Sequence, residues 1–258
     1  MARPRRTPAC RPSPQITLTT VIDDGRLSRR HALGLLGALG LTATGLAGCS
    51  SGSSTTAATS PPTTADDVWA ALAAGNERFA AGEPLHPHED EAYRESLVDG
   101  QHPIACVLSC ADSRVAPELV FDQGLGDLFT VRSAGEVLDD AVIGSIEYAV
   151  EHVAVPLVAV LGHAGCGAVR ATVDVVRGGP APDGAIGALV REIEPAVRAV
   201  PTSADDDAYL AACVEAQARG AAAALVAASP IVREAVAAGR TAVVAGVYDL
   251  ESGRISRL

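Results

Sequence analysis

Four short apolar runs, each rich in β-branched residues, constrain the fold of this chain more than any other feature. They span residues 104–109, 127–132, 156–162 and 241–248. Stretches of helical character separate or follow them, at 139–153, 166–177, 187–200, 206–228 and 231–238. Continuous apolar strands alternating with helices are typical of a mainly parallel sheet that is covered on both faces. The sequence therefore predicts an α/β fold with a mainly parallel central β-sheet flanked by helices.

An amphipathic helix ahead of the first strand forms an N-terminal helical arm. Asp66 and Asp67 precede its apolar residues and Gly82 closes it, an arrangement in which acidic residues suit the positive end of the helix dipole. A second short helix is predicted over residues 89–98. Residues 253–255 are a candidate for a short edge strand after a turn.

The distribution of charge argues against nucleic-acid binding. The net charge of the 258-residue chain is −11, yet residues 1–50 hold seven arginines against Asp23 and Asp24, so the remainder carries about −16. An acidic body lacks the basic footprint that nucleic acids require. The apolar fraction of 48% is too high for a disordered chain, and six cysteines are too few for a disulfide scaffold of this length.

Residues 1–49 are predicted to be an export signal. Arg29 and Arg30 precede an apolar stretch at 32–47, which is shorter than the roughly 20 residues that a membrane-spanning helix needs. A basic region followed by a short apolar stretch is typical of a signal peptide, and the arginine pair is typical of the twin-arginine route. The stretch ends in Leu-Ala-Gly-Cys, which resembles a bacterial lipobox with Cys49 as the lipidated residue. We therefore expect a domain that is lipid-anchored to the outer face of the cytoplasmic membrane.

Residues 50–65 are predicted to be a flexible tether. They consist of Ser, Thr, Ala, Gly and Pro, without charge or periodicity. The globular domain is expected over residues 66–258. The sequence leaves open whether translation starts at Met1 or later, and whether Cys49 is lipidated or the signal is simply cleaved.

Reactive side chains follow the first and third apolar runs. Cys110 comes directly after the first run, and His163 and Cys166 follow the third. Ligands of parallel sheets bind beyond the carboxyl ends of the strands, so we expect these side chains to converge. Two thiolates and one imidazole match a zinc site whose fourth position is open to water. Taken alone, the three residues fit a buried core thiol and a core histidine equally well.

The motifs around these residues distinguish a zinc site from a buried thiol and a core histidine. In chain order the sequence contains Cys-Ala-Asp-Ser-Arg-Val from Cys110, Gly-Asp-Leu-Phe-Thr-Val-Arg from Gly126, Gly-Ser-Ile-Glu-Tyr-Ala-Val from Gly144 and Leu-Gly-His-Ala-Gly-Cys-Gly-Ala-Val from Leu161. Together these motifs closely resemble the β-class carbonic anhydrases over residues 66–258.

The resemblance implies a metal centre and a reaction. Cys110, His163 and Cys166 would ligate one Zn²⁺ per subunit, and Asp112 and Arg114 would form the family's carboxylate–guanidinium dyad. Zinc-bound hydroxide would then attack carbon dioxide to give bicarbonate and a proton, reversibly. In a closed state, Asp112 itself could take the fourth zinc position.

The resemblance also implies a substrate pocket and an oligomer. Gln101, Phe129 and Tyr148 would line the pocket, and each active site would lie at a subunit interface of a homodimer or higher homo-oligomer. Two positions depart from the family pattern: Ser133 stands where Asn is common, and Glu136 where Asn or His is common. We expect Glu136 to be a solvated charge at the pocket mouth, with a role in proton export as the alternative.

Three other functions compete with carbon dioxide hydration. A hydrolase of carbonyl sulfide or carbon disulfide could use the same scaffold. A non-catalytic, lipid-anchored zinc-binding protein would need neither Gln101 nor the Asp112–Arg114 pair. A thiol redox protein is disfavoured because the chain contains no Cys-x-x-Cys.

Overall fold

The chain folds around a sheet of five strands within residues 62–258, which a computed structural model describes. In chain order these strands are β1 (Ala105–Ser109), β2 (Leu128–Arg132), β3 (Leu157–His163), β4 (Ala242–Tyr248) and β5 (Ile255–Arg257). Their order across the sheet is β2-β1-β3-β4-β5, with β1 to β4 parallel and β5 antiparallel to β4. The four predicted runs are the four parallel strands to within one residue, and the edge strand is present two residues later than predicted.

Helices connect and cover the strands. They are α1 (Ala65–Ala81), α2 (Glu91–Ser96), α3 (Pro117–Val120), α4 (Asp140–Glu151), α5 (Gly167–Val176), α6 (Ile186–Ala199), α7 (Asp206–Ala228) and α8 (Pro230–Ala237). The predicted helices are confirmed to within two residues at each end. The sequence did not predict α3 or a 3₁₀ turn at Ala134–Glu136, because neither is long enough to show a helical period.

Both faces of the central strands β1 and β3 are buried, as predicted for a mainly parallel sheet, whereas the outer strands β2 and β5 are only partly buried. On one face, Val68 and Leu72 of α1 pack in one cluster with Val107 of β1. On the other, Leu108 of β1 packs with Leu225 of α7 and with side chains of α4 and α8. Neighbouring residues of β1 point to opposite faces, so this strand joins the two halves of the core.

A third apolar cluster lies beyond the carboxyl ends of β1 and β3. It joins Cys110 and Cys166 to Val169 of α5, Ile193 of α6 and Cys213 of α7. These side chains are almost completely buried. The two cysteines of interest therefore lie in a region of low polarity.

The first helix begins slightly earlier than predicted. Thr64, not an aspartate, is its N-cap: the Thr64 hydroxyl accepts a hydrogen bond from the backbone N–H of Asp67 and donates one to the Asp67 carboxylate. Gly82 ends the helix with φ at 75°, as the sequence suggested. The end of the predicted tether is thus part of the fold. The predicted signal, Cys49 and most of the tether lie outside the described residues.

Helix α7 is a core helix. Among the described residues it is the one helix whose length and apolar composition would suit a membrane span. Its buried side chains, such as Leu210, Val214 and Leu225, belong to the core clusters beneath and beside the sheet. Burial of this face accounts for its apolar character.

Asn76 fixes α1 to two other parts of the fold. Its side-chain Nδ2 donates to the carbonyl oxygens of Val120, at 2.9 Å, and Gly253, at 2.8 Å, while its Oδ1 accepts from the N–H of Ile255 at 2.8 Å. Asn76 itself is only 3% exposed. A single amide therefore satisfies three backbone groups.

We expect Asn76→Ala to lower the free energy of unfolding by about 2–4 kcal/mol, since it leaves these three backbone groups buried without hydrogen-bond partners. Urea denaturation of wild type and variant at equal protein concentration measures the difference. Glu77→Ala, at the neighbouring exposed position, is the control and should change the value by less than about 0.5 kcal/mol. Equal losses in the two variants would contradict the assigned role.

Candidate metal centre

Three buried side chains converge where β1 and β3 end. Cys110 directly follows β1, His163 is the last residue of β3, and Cys166 is the N-cap residue of α5. Because β1 and β3 are neighbours in the sheet, their carboxyl ends bring the three together, and their ligand atoms all lie within 4.8 Å of one another. The two sulfur atoms are 3.9 Å apart, close to the roughly 3.8 Å expected for two sulfurs each about 2.3 Å from a tetrahedral zinc ion. The convergence predicted from the sequence is confirmed.

The orientation of the His163 ring suits a metal ligand. Its Nδ1 lies 3.0 Å from the carbonyl oxygen of Ala164, and since a carbonyl only accepts, Nδ1 must carry the proton. Nε2 is then left with a free lone pair. It is buried and has no hydrogen-bond partner among residues 62–258, which is costly unless a ligand such as a metal ion takes that position. Gly165, with φ at 65°, turns the chain between His163 and Cys166.

Backbone and guanidinium groups hold the Cys110 loop. The N–H of Gly135 donates to Cys110 Sγ at 3.3 Å, and Arg132 donates to the carbonyl oxygens of Cys110, at 3.0 Å, and Asp112, at 2.6 Å. Gly135 has φ at 69°, a left-handed conformation that L side chains rarely adopt, and a Cβ there would lie 2.6 Å from the Cδ1 atom of Ile193, so a larger residue at this position would be strained. The sequence did not predict the contacts that Gly135 and Arg132 make with the Cys110 loop. The sequence feature that pointed to them was the Val-Arg segment that ends the second motif.

The two thiols differ in acidity. The hydrogen bond from Cys166, helped by the Gly135 N–H, lowers the pKa of Cys110 against the opposing effect of burial. The same contact, together with burial, raises the pKa of Cys166. Cys110 is therefore the thiol that ionises first and the one most ready to bind a cation.

Asp112 and Arg114 form a two-point ion pair beside the cluster. Arg114 Nε donates to Asp112 Oδ1 at 2.9 Å and its Nη2 to Oδ2 at 2.8 Å, while the Arg114 backbone N–H donates to Oδ1 at 3.0 Å. These bonds lower the pKa of Asp112 below its usual range. Asp112 Oδ2 lies 3.9 Å from His163 Nε2. The Asp112 carboxylate therefore lies close to the ligand atom of His163, and Arg114 holds it there. A closed state in which Asp112 is the fourth zinc ligand stays a prediction.

The predicted pocket residues lie at the other end of β1. Phe129 pairs with Cys106 in the sheet, four residues before Cys110 and so about 13 Å from it along the strand. Tyr148 of α4 is half exposed, with its ring 6.2 Å from that of Phe129. Gln101 is exposed in the segment that precedes β1. Within one subunit the structure does not bring Gln101, Phe129 and Tyr148 to the metal cluster.

Comparison with known proteins decides the family. The family model described as carbonic anhydrase matches residues 105–255, which is more than half of the chain. The chain belongs to the carbonic anhydrase family. It is 43% identical over 194 residues to carbonic anhydrase 2 of Mycobacterium tuberculosis, covering 75% of this chain and 93% of that protein. It is 45% identical over 191 residues to the carbonic anhydrase of Mycolicibacterium smegmatis, covering 73% of this chain and 90% of that protein.

Comparison with solved structures identifies the class of carbonic anhydrase to which this fold belongs. The β-carbonic anhydrase of Coccomyxa in complex with acetazolamide superposes with a TM-score of 0.60 at 25% identity, covering 72% of this chain and 84% of that chain. A tetrameric β-carbonic anhydrase of Sordaria macrospora has a TM-score of 0.58 at 20% identity over 74% of this chain and 97% of that chain. The chain therefore has the β-carbonic anhydrase fold, as the sequence motifs predicted.

Glu136 is the main correction to the predicted carbonic anhydrase site. It is 1% exposed, so the expectation of a solvated charge at the pocket mouth is wrong. The 3₁₀ turn folds it inward with φ at 53°, and the Ser133 hydroxyl closes the turn by donating to the Val137 carbonyl at 2.7 Å. The Glu136 carboxyl lies beside Gly162, and its Oε1 has no hydrogen-bond partner in the described part of the chain. Burial, with a smaller effect of the Cys110 charge, raises its pKa well above the usual range.

We expect Glu136→Gln to stabilise the protein at alkaline pH. A carboxyl whose pKa is raised on folding favours the folded state only while it is protonated, so stability is lost as the pH rises above the unfolded value of about 4.3. The neutral amide avoids that loss, and the variant should exceed wild type by about 1–3 kcal/mol at pH 8 but by little at pH 5. Urea denaturation of both zinc-loaded proteins at the two pH values measures the gap. A gap that does not depend on pH would contradict the buried, proton-binding carboxyl.

Proposed function

We propose that this chain is a zinc-dependent enzyme that catalyses the reversible hydration of carbon dioxide to bicarbonate and a proton. The observation that carries the proposal is the Cys110, His163 and Cys166 cluster beside the Asp112–Arg114 pair. The family relationship supports the same reaction.

The donor set favours zinc. Two thiolates and one neutral imidazole nitrogen are the soft ligands that select zinc over magnesium or calcium. Cys110 and Cys166 would bind through sulfur and His163 through Nε2, the buried atom that otherwise has no partner. A zinc ion in this set would lower the pKa of a bound water to about 7, which supplies hydroxide at neutral pH.

Asp112 and Arg114 prepare the attack. Asp112 accepts a hydrogen bond from the attacking hydroxyl at Oδ2, and this aims an oxygen lone pair at the carbon of the substrate. Arg114 keeps the Asp112 carboxylate ionised and turned towards the guanidinium, because the guanidinium donates a hydrogen bond to each carboxylate oxygen. An ionised Asp112 cannot donate a proton, so it selects the hydroxyl and not the carboxylate oxygens of bicarbonate as its partner.

We propose that the substrate pocket is completed by a second subunit of a homodimer or larger homo-oligomer. The three predicted pocket residues lie near the start of β1, too far from the metal cluster of their own chain to reach it: Gln101, Phe129 and Tyr148. Tyr148 is also half exposed. From a partner, the Gln101 amide would hold bicarbonate, and the two rings would give apolar walls for an uncharged gas. Mixed dimers of Cys110→Ser and Gln101→Ala subunits should recover activity that neither variant shows alone. No recovery in verified mixed dimers would place each site within one chain.

A comparison of substrates tests the reaction. Zinc-loaded protein that begins at residue 50 should hydrate carbon dioxide in a stopped-flow assay far faster than it hydrolyses carbonyl sulfide or carbon disulfide. The opposite preference would favour the sulfur hydrolase. If the protein turned over none of the three substrates, a non-catalytic zinc-binding protein would be the remaining interpretation.

We also propose that the protein is exported by the twin-arginine route and anchored through a lipid on Cys49. The route carries folded proteins, so Cys110 and Cys166 would leave the reducing cytoplasm already bound to zinc and protected from oxidation. Export should fail when Arg29 and Arg30 are both replaced by Lys. Cys49→Ser should move the exported protein from the membrane fraction to the soluble fraction, and membrane retention of this variant would overturn the anchor.

A further inference from the structure

Gln217 is a buried amide that connects α7 to the turn beside the metal centre. Only 5% of the residue is exposed, and its Nε2 donates to the carbonyl oxygen of Gly135 at 2.8 Å. The N–H of Gly135 in turn donates to Cys110 Sγ at 3.3 Å. Within residues 62–258 no hydrogen bond joins Gln217 directly to the three proposed ligand residues. Two hydrogen bonds and one glycine therefore lie between this helix and a proposed zinc ligand.

The backbone of Gly135 is held in a conformation that its own preferences do not select. Its φ is 69°, and Glu136 follows with φ at 53°, so two consecutive residues of the turn are left-handed, which is costly for a residue with a side chain. A Cβ on Gly135 would lie 2.6 Å from Ile193 Cδ1 and 3.0 Å from Ala168 Cβ, so packing favours glycine here. Glycine populates positive and negative φ about equally. Contacts from outside the turn must therefore keep its N–H directed at the sulfur.

Gln217 supplies such a contact. Among the described residues it is the one side chain that donates a hydrogen bond to the turn at Ala134–Glu136. The hydrogen bond that closes the turn runs within the same segment, from the Glu136 N–H to the Ser133 carbonyl at 3.1 Å. Only the two backbone torsions of Gly135 separate its carbonyl from its N–H, so a fixed carbonyl also limits the direction of the N–H. The buried amide on α7 thereby helps to set the geometry of the contact to Cys110 Sγ.

We propose that Gln217 is a positioning residue for the metal centre: by holding the Gly135 carbonyl, it keeps the Gly135 N–H aimed at Cys110 Sγ. A hydrogen bond to a thiolate sulfur takes up part of its negative charge, and such supporting contacts tune how tightly a ligand holds its metal. This role rests on the proposed zinc site. It belongs to a residue outside all four motifs that resemble the β-class carbonic anhydrases.

Cobalt-substituted, full-length protein tests the role of Gln217, because Co²⁺ bound to thiolates absorbs light through sulfur-to-metal charge transfer. The energy of that absorption depends on the negative charge left on sulfur. Gln217→Met keeps the length of the side chain but removes the donor, so we expect the charge-transfer band to move to longer wavelength than in wild type. Competition with a chelator should show zinc binding weakened about tenfold, the lower end of the range for a lost supporting contact, since Gln217 acts through one intervening residue.

Two further variants keep this test decisive. Gln217→Asn serves if the methionine variant folds poorly: its amide is one methylene shorter and does not reach the Gly135 carbonyl, so the band and the zinc affinity should move in the same direction. Leu225→Val is the control for lost stability. Leu225 is fully buried on the same helix but packs with Leu108 in a separate part of the core. The control should lower the urea midpoint and leave the band and the zinc affinity unchanged.

Two results would overturn the role of Gln217. One is a wild-type band and a wild-type zinc affinity in both Gln217 variants while the urea midpoint falls, which would make Gln217 a purely structural residue. The other is an equal change of band and affinity in Leu225→Val, because lost stability alone would then explain both. Metal binding without carbon dioxide hydration would contradict the proposed function and leave this test unaffected, whereas a wild-type protein without any sulfur-to-cobalt band would contradict both.

Discussion

Cys110→Ser should abolish carbon dioxide hydration, with a fall of about 10³-fold or more, because the centre loses a zinc ligand. A serine hydroxyl stays protonated at neutral pH and cannot replace the thiolate, which the Gly135 N–H and the Cys166 thiol stabilise by hydrogen bonds. The same change also leaves His163 Nε2 buried without its metal partner. Zinc content by mass spectrometry should fall well below one ion per subunit, and stopped-flow hydration should approach the buffer rate.

Cys106→Ala is the matched control for this experiment. Cys106 is also a buried thiol, but it lies within β1, outside the ligand cluster, and burial raises its pKa to about 12. The variant should keep one zinc per subunit and most of the hydration rate. If both cysteine variants lost zinc equally, the assignment of Cys110 as a ligand would be wrong.

Arg114→Ala should lower the hydration rate about 100-fold while zinc stays bound. The guanidinium makes two hydrogen bonds to Asp112 and keeps the pKa of that carboxyl low. Without it, Asp112 regains a pKa nearer its usual value and is free to turn towards the fourth ligand position. Because the usual pKa of an aspartate, about 3.9, lies well below neutral, Asp112 stays ionised in the variant, and the loss should be nearly the same from pH 6 to pH 9. Stopped-flow rates between pH 6 and 9, on protein with measured zinc content, test both parts.

Arg94→Ala controls for the loss of an arginine. Arg94 is also exposed and pairs with a nearby carboxylate, Glu91, but it lies on α2 and not at the metal centre. Its removal should leave the rate unchanged within about twofold, since exposed ion pairs contribute little. An unchanged rate in Arg114→Ala would remove the dyad from the mechanism.

The sequence predicted the sheet and the metal ligands for the same reason. Each parallel strand is a continuous apolar run, and Cys110 and His163 stand where two adjacent runs end. Position at the carboxyl ends of neighbouring strands is a property of topology, so it follows from the order of elements. The family motifs then supplied Asp112 and Arg114, whose pairing the structure contains.

The sequence could not predict features that depend on tertiary packing. Glu136 is charged and stands at a motif position near the expected pocket mouth, so the sequence predicts a solvated side chain, but the turn at Ala134–Glu136 directs it inward. Gln217 lies in an alanine-rich helix and gives no local sign that it bonds to Gly135, 82 residues earlier. The separation of Phe129 from the metal ligands depends on strand register, which a motif does not show.

The most direct test of zinc-dependent hydration is to titrate metal-free protein with Zn²⁺ and to follow carbon dioxide hydration by stopped flow. We predict that the rate rises in proportion to the zinc bound, reaches its plateau at one ion per subunit, and stays near the buffer rate for Cys110→Ser throughout. Full zinc occupancy without hydration above buffer, or hydration that does not depend on zinc content, would contradict it.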